Sequence, residues 1–199
     1  ASKIQPVRAL GKCGGYLTDI ADAILWAAGG TVTGVPANAT PARIISLSLG
    51  GSGSCPSYMQ SAITAARGLG AMVVVAAGNS NSNVSNFTPA NCNGVIAVAA
   101  TGRTGKRAYY SNYGSLVDIA APGGASGTDS MILSTLNTGT QGPVAETYAA
   151  YQGTSMATPH VSGVLSLLLS AKPTLVEADV LALLAANSTP FPANTGSFP

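Results

Sequence analysis

Ser155 is the residue best placed, by type and neighbours, to do covalent chemistry. It sits in Gly153-Thr154-Ser155-Met156-Ala157-Thr158-Pro159-His160-Val161-Ser162-Gly163, which runs into Val164-Leu165-Ser166-Leu167-Leu168-Leu169. Small residues followed by a run that is apolar on every side read as the start of a helix buried in a domain core. A serine at that point lies among unpaired backbone N–H groups, at the positive end of the helix dipole. Two roles fit it. It is an N-cap, or a nucleophile whose own N–H helps to hold an oxyanion. Gly153 lets a ligand approach the backbone closely. Asn79 is the second candidate. It closes the buried-strand pattern Val75-Ala76-Ala77-Gly78-Asn79, and its carboxamide offers two donors. It either faces a ligand beside Ser155 or is a turn residue in the left-handed conformation.

A serine nucleophile needs a base and usually an orienting acid. The only histidine is His160. Five residues along one helix rotate it roughly 140° away from Ser155, so its expected role is structural. The aspartates are Asp19, Asp22, Asp118, Asp129 and Asp179.

The eleven residues Gly153–Gly163 resemble the nucleophile motif of the subtilisin-like serine peptidases, the subtilases. The resemblance implies an α/β, three-layer fold with a mostly parallel central sheet and helices on both faces. It implies hydrolysis of polypeptides through an acyl-enzyme on Ser155. Ala76-Ala77-Gly78-Asn79 matches the segment that supplies the side-chain oxyanion donor, Asn79. Ser48-Leu49-Gly50-Gly51 matches the edge that pairs with an extended substrate, a general mode of peptide recognition. Ala76, Ala77 and Gly78 would wall the opposite side of the primary pocket. Gly14-Gly15 resembles a second substrate edge, with Leu17 and Ile20 lining a remote apolar pocket or simply packing the core. Glycine-walled pockets with few charges favour apolar or aromatic side chains.

None of the aspartates stands in the Asp-Thr-Gly or Asp-Ser-Gly setting of the family's acid, and no His-Gly-Thr-His segment occurs. In subtilases both precede the region matched here. Residues 1–199 are therefore expected to be the C-terminal portion of a single catalytic domain, inactive alone. Histidine and aspartate would come from a missing upstream segment or from a companion N-terminal fragment of the same enzyme. A catalytically dead domain used for binding or structure is the alternative. An esterase is a third reading, although Ala157 stands where the GxSxG elbow ends in glycine. A GxGxxG reading of Gly50-Gly51-Ser52-Gly53 lacks its last glycine.

The resemblance extends to Leu116–Gly123. There Asp118 matches an aspartate that joins loop carbonyls, here near Ala90, Cys92 and Val95, around a cation. Hard oxygen ligands suit calcium. Equally, Asp118 caps a turn or pairs with an arginine.

Composition sets the remaining bounds. Charged residues make up 8% of the chain and hydrophobic residues 46%, with 24 glycines. That is a folding composition rather than a disordered one. A net charge of +2 from scattered basic residues excludes a nucleic-acid surface. The apolar runs fall far short of the ~20 residues of a membrane span. No signal peptide opens the chain, and the small, charge-poor composition points to a secreted protein. The three cysteines, Cys13, Cys55 and Cys92, lack metal-ligand spacing. Cys55 and Cys92 fall in loops after strand ends on one side of the sheet and are expected to form a disulfide. Cys13 is expected to pair outside the chain.

The elements that must position these residues alternate. Strands are expected at 3–10, 43–49, 72–77, 94–99, 116–120, 132–136 and 146–151, and helices at 17–28 and 56–67. The helix after Gly153 follows, then one from Leu175 to Ala186 capped by Thr174, with Asn187–Pro199 as loop. Near-continuously apolar strands between helices imply a parallel sheet covered on both faces. Ligands then bind beyond the carboxyl ends of the strands.

Overall fold

The computed structural model describes residues 2–125 and 130–190. Its centre is a four-stranded parallel sheet of β1 (Ile44–Leu47), β3 (Met72–Ala76), β5 (Val95–Thr101) and β6 (Ile119–Pro122), in that spatial order. The short strands β2 (Gly51–Ser52) and β4 (Phe87–Thr88) pair antiparallel, as do β7 (Ile132–Asn137) and β8 (Glu146–Tyr151). Helices α1 (Leu17–Ala27) and α2 (Ser57–Gly68) lie on one face of the main sheet, and α3 (Thr154–Ala171) on the other. α4 (Glu177–Asn187) follows α3.

Strand alternation splits the core in two. Val73 and Val75 of β3 and Val95 and Ala97 of β5 pack with Ile24 of α1 and Met59 and Ile63 of α2. Met72, Val74, Ile96, Val98 and Ala100 face Ala157, Val161, Leu165 and Leu169 of α3. Those four positions recur every fourth residue, one stripe of a helix. Because the main strands are parallel, the chain leaves β1 and β3 at one edge of the sheet.

Several sequence expectations are corrected. Residues 3–10 form no strand, because the segment finds no neighbouring strand among the described residues; Ile4 is 92% exposed. α3 is not buried on every side. The face opposite its sheet-packing stripe leaves Leu167 71% exposed and Val164 exposed as well. The strand expected at 116–120 begins only at Ile119, because residues 114–117 close a turn in which Val117 N–H donates to Gly114 O. Thr174 does not cap α4. That helix starts after Val176, whose N–H donates to Asp179 Oδ2 at 3.4 Å. The loop after Asn79 also holds a 3-10 turn at Val84–Asn86 and strand β4, too short to show a period in sequence. Of the expected C-terminal loop, residues 191–199 lie outside the described residues.

Candidate active site

A cleft of about 340 Å³ opens at the carboxyl ends of β1 and β3. Residues 48–52 form one wall and residues 76–80 the other, with Phe87, Thr88, Thr154 and Ser155 completing it. No lining residue is charged. The walls meet through the sheet: β1 and β3 pair in register, and Gly51 pairs with Thr88 across β2 and β4. The Cys55–Cys92 disulfide, with Cα atoms 5.2 Å apart, ties the segments leaving β2 and β4.

Ser155 is the second residue of α3, so its N–H lies in the first turn, where no intrahelical acceptor exists. Gly153 precedes the helix at φ +151°, a backbone conformation that favours glycine. Its N–H donates to Gly123 O at 2.9 Å. Tyr110 Oη lies 2.9 Å from that same carbonyl and 2.6 Å from Gly124 O. Burial pushes the Tyr110 phenol up to about 12, so it remains a donor at neutral pH.

Pro159 shapes the surroundings of Ser155 from within the helix. It lacks the N–H that would bond the carbonyl four residues earlier, and that carbonyl belongs to Ser155. The Ser48 hydroxyl takes the vacated position, donating to Ser155 O at 2.8 Å. The Ser155 hydroxyl in turn donates to Ser48 O over a long 3.4 Å. The end of β1 is thus fastened to the start of α3 beside Ser155.

Asn79 is held by its oxygen. The Thr154 N–H and hydroxyl donate to Asn79 Oδ1 at 2.8 and 2.9 Å. A backbone donor at that distance identifies the oxygen and leaves the two Nδ2 hydrogens for other acceptors. Thr154 Oγ1 also accepts from Gly78 N at 3.2 Å. Asn79 is not the left-handed turn residue of this loop: Gly78 and Asn81 carry the positive φ, at +103° and +48°. Donors converging at the edge of an uncharged cleft, next to a serine hydroxyl, can stabilise negative charge developing on a carbonyl oxygen.

Comparison with known proteins fits this geometry. A family model described as "Subtilase family" matches residues 1–197. The chain belongs to the subtilase family. An extracellular protease of Xanthomonas campestris pv. campestris is 59% identical over 184 residues, 92% of this chain and 31% of that protein. An extracellular basic protease of Dichelobacter nodosus is 50% identical, over 85% of this chain and 27% of that protein. This chain thus spans about a third of the length of these relatives. A solved structure of a protease from Pseudoalteromonas arctica PAMC 21717 superposes with a TM-score of 0.92 at 53% identity, covering 96% of this chain and 57% of that one. A cold-adapted subtilisin-like serine proteinase superposes at 0.75, with 31% identity, 94% of this chain and 61% of that one. The expected subtilisin-like α/β fold is therefore the fold of this chain.

The subtilase residues expected from sequence separate into four groups. Ser48, Leu49, Gly50, Ala76, Ala77, Gly78, Asn79 and Ser155 meet in the cleft. Gly14 and Gly15 do not line it; Gly14 closes a tight turn with Gly11 ahead of α1. Leu17 and Ile20 pack into the core between α1 and α2. Asp118 makes backbone contacts: its Oδ2 accepts from Ala97 N at 2.8 Å and its N–H donates to Ala97 O at 3.0 Å. Burial pushes its carboxyl pKa up. Among the described residues no three His, Cys, Asp or Glu side chains gather to hold a metal ion. Asp118 is exposed with one oxygen already bonded, so a cation there would have to draw its other ligands from loop carbonyls. Cys13 is exposed and free in this chain. His160 is exposed, and its Nδ1–H donates to Met156 O at 2.8 Å, the structural role expected of it. No helix among the described residues is long and apolar enough to cross a membrane.

Sequence reasoning missed Thr154 and Asn112. Thr154 had a signal, a hydroxyl between Gly153 and the nucleophile. Asn112 had none, because its partners lie about thirty residues earlier in the chain.

Proposed function

We propose that residues 1–199 form the C-terminal portion of a subtilase catalytic domain, acting as a secreted serine endopeptidase with Ser155 as nucleophile. One observation carries this reading: the Ser155 hydroxyl and the pinned Asn79 carboxamide share one uncharged cleft at the sheet's carboxyl edge. Ser155 Oγ attacks the scissile carbonyl, and the developing oxyanion is held by Ser155 N–H and Asn79 Nδ2. The companion segment's base takes the Oγ proton and gives it to the amine nitrogen as the C–N bond breaks; water, activated by the same base, then hydrolyses the Ser155 ester.

The base and its orienting acid come from a companion N-terminal segment. Support for this is chemical. The chain's single histidine is bonded to the Met156 carbonyl, and the exposed Ile4 and Leu167 are apolar groups that such a segment would cover. An extended polypeptide lies along residues 48–51, with 76–78 opposite; Gly14-Gly15, outside the cleft itself, would serve as a second edge only for a peptide that extends beyond it. The neutral cleft suits an apolar or aromatic side chain. Relatives named extracellular proteases, together with the Cys55–Cys92 disulfide, support an oxidising, extracellular setting. Calcium at Asp118 would depend on loop carbonyls, and no step of the reaction is assigned to it.

The test pairs an organophosphonate probe with mass spectrometry on the complete protease. Label on Ser155, abolished together with turnover in Ser155→Ala, supports the reading. Label elsewhere, or full activity of Ser155→Ala, overturns it. Normal peptidase activity of the 199-residue chain alone would remove the need for a companion segment.

A further inference from the structure

We propose that Asn112 is a positioning residue for catalysis, setting the aim of the Asn79 donor. The inference rests on the reading of Asn79 as an oxyanion donor. Asn112 is 0% exposed and lies outside the cleft lining. Its backbone N–H donates to Gly78 O at 2.9 Å. Its Oδ1 accepts from Ser80 N at 3.0 Å and from Ser82 N at 3.1 Å. Its Nδ2 donates to Ala77 O at 2.7 Å. Two backbone donors at Oδ1 fix the orientation of the amide.

These bonds have a particular geometry. The Gly78 carbonyl belongs to the peptide unit entering Asn79, and the Ser80 N–H to the unit leaving it. Rotation of either unit swings the Asn79 Cα–Cβ bond. One residue therefore holds both peptide planes that aim the donor, while Thr154 holds the far end of the side chain. The packing leaves no slack: a Cβ at Gly78 would lie 2.4 Å from Asn112 Nδ2. Only a short side chain with one acceptor and one donor satisfies this set. Aspartate keeps the acceptor and loses the donor to Ala77 O; alanine loses both.

A merely structural asparagine would have the same contacts, so the experiment must separate aim from stability. In the complete protease, kcat and KM on a peptide amide are measured for Asn112→Ala, Asn112→Asp, Asn79→Ala and the double variants. Inhibition by a peptide boronic acid is measured alongside, because its tetrahedral adduct places an oxygen where the oxyanion forms. The expected result is a fall in kcat of about tenfold to a hundredfold for each Asn112 variant, with KM changed by less than about twofold. Boronate affinity falls by a similar factor. In the Asn79→Ala background the Asn112 substitutions cost less than about twofold more, since there is no donor left to aim. An equal loss in both backgrounds, or a rise in KM with kcat intact, overturns the inference. If Asn112→Ala does not fold, the Asn112→Asp cycle decides. If Asn79→Ala alone leaves kcat unchanged, the donor reading falls and the inference with it. An Asn112 effect that persists without Asn79 overturns the inference alone.

Discussion

The backbone N–H and the hydroxyl of Thr154 both converge on the carboxamide oxygen of Asn79, at 2.8 and 2.9 Å. The residue before the nucleophile therefore determines which end of the asparagine is free to act. With the oxygen occupied, only N–H groups remain to meet a substrate, and a donor is what a forming oxyanion requires.

Asn79→Ala in the complete protease is expected to lower kcat by about 10²–10³ with little change in KM. That size is taken over from the side-chain oxyanion donor of subtilisin, another member of this family. Steady-state kinetics on a peptide amide checks it; a loss confined to KM would assign Asn79 to substrate binding instead.

Thr154→Val keeps the N–H bond to Asn79 but removes the hydroxyl, which serves Asn79 Oδ1 and Gly78 N at once. Leaving these groups short of a partner costs about 1–3 kcal/mol. The loss should appear in kcat and in thermal stability together, because one hydroxyl serves both the donor and the loop.

Ser48→Ala strands the Ser155 carbonyl that Pro159 already leaves without a helix partner. A destabilisation of about 1–2 kcal/mol is expected. Adding Pro159→Ala supplies an N–H in the right place and should recover part of it. Denaturant titration of the four forms decides, and additive effects would sink the idea that both substitutions act on that carbonyl.

Replacing Cys55 and Cys92 by serine opens a loop of 37 residues. The chain-entropy model puts the loss at about 4 kcal/mol. Because the bridge ties the segments leaving β2 and β4, whose residues line the cleft, KM should rise as well. Unfolding curves and kinetics of the double variant provide the check.

Asp118→Asn tests a surface carboxyl that is partly withdrawn from water. Burial raises the folded-state pKa above the usual value of 3.8, with the Ala97 N–H opposing and Glu177 adding to the rise. A raised pKa means that the folded chain holds the proton more tightly than the unfolded one. The stabilisation is full below the usual value and is lost as pH rises through the folded-state pKa. Asp118→Asn should therefore be the more stable form at pH 7, with the difference shrinking as pH falls through the folded-state pKa and gone below 3.8. Melting temperatures across that range test the sign.

The sheet, its helices and most of the cleft were legible because their signals are local. Continuous apolar runs marked β3, β5 and α3, and glycines marked the strand ends. Residues 3–10 have a strand's composition, yet a strand also needs a neighbour, and composition does not supply one. The exposed face of α3 was hidden for the same reason, since Leu167 is as apolar as the buried Leu165. Asn79 and Ser155 could be picked out from motif and type. Asn112 could not, because a polar residue's worth here comes from four backbone partners brought to it by folding.

α3 crosses all four strands of the central sheet and carries Ser155 at its very start. It is a lever whose load sits at one end. Leu165, fully buried against the sheet, lies ten residues further on, roughly 15 Å along the axis. A tilt of only ~4° about that point carries the hydroxyl through ~1 Å, a displacement that alone can cost on the order of a hundredfold in rate. Side chains that never approach the cleft, such as Val161, Leu165 and Leu169, are thus sights as much as ballast. Evolution or engineering that repacks this side of the sheet retunes the enzyme even when every residue of the cleft is left untouched.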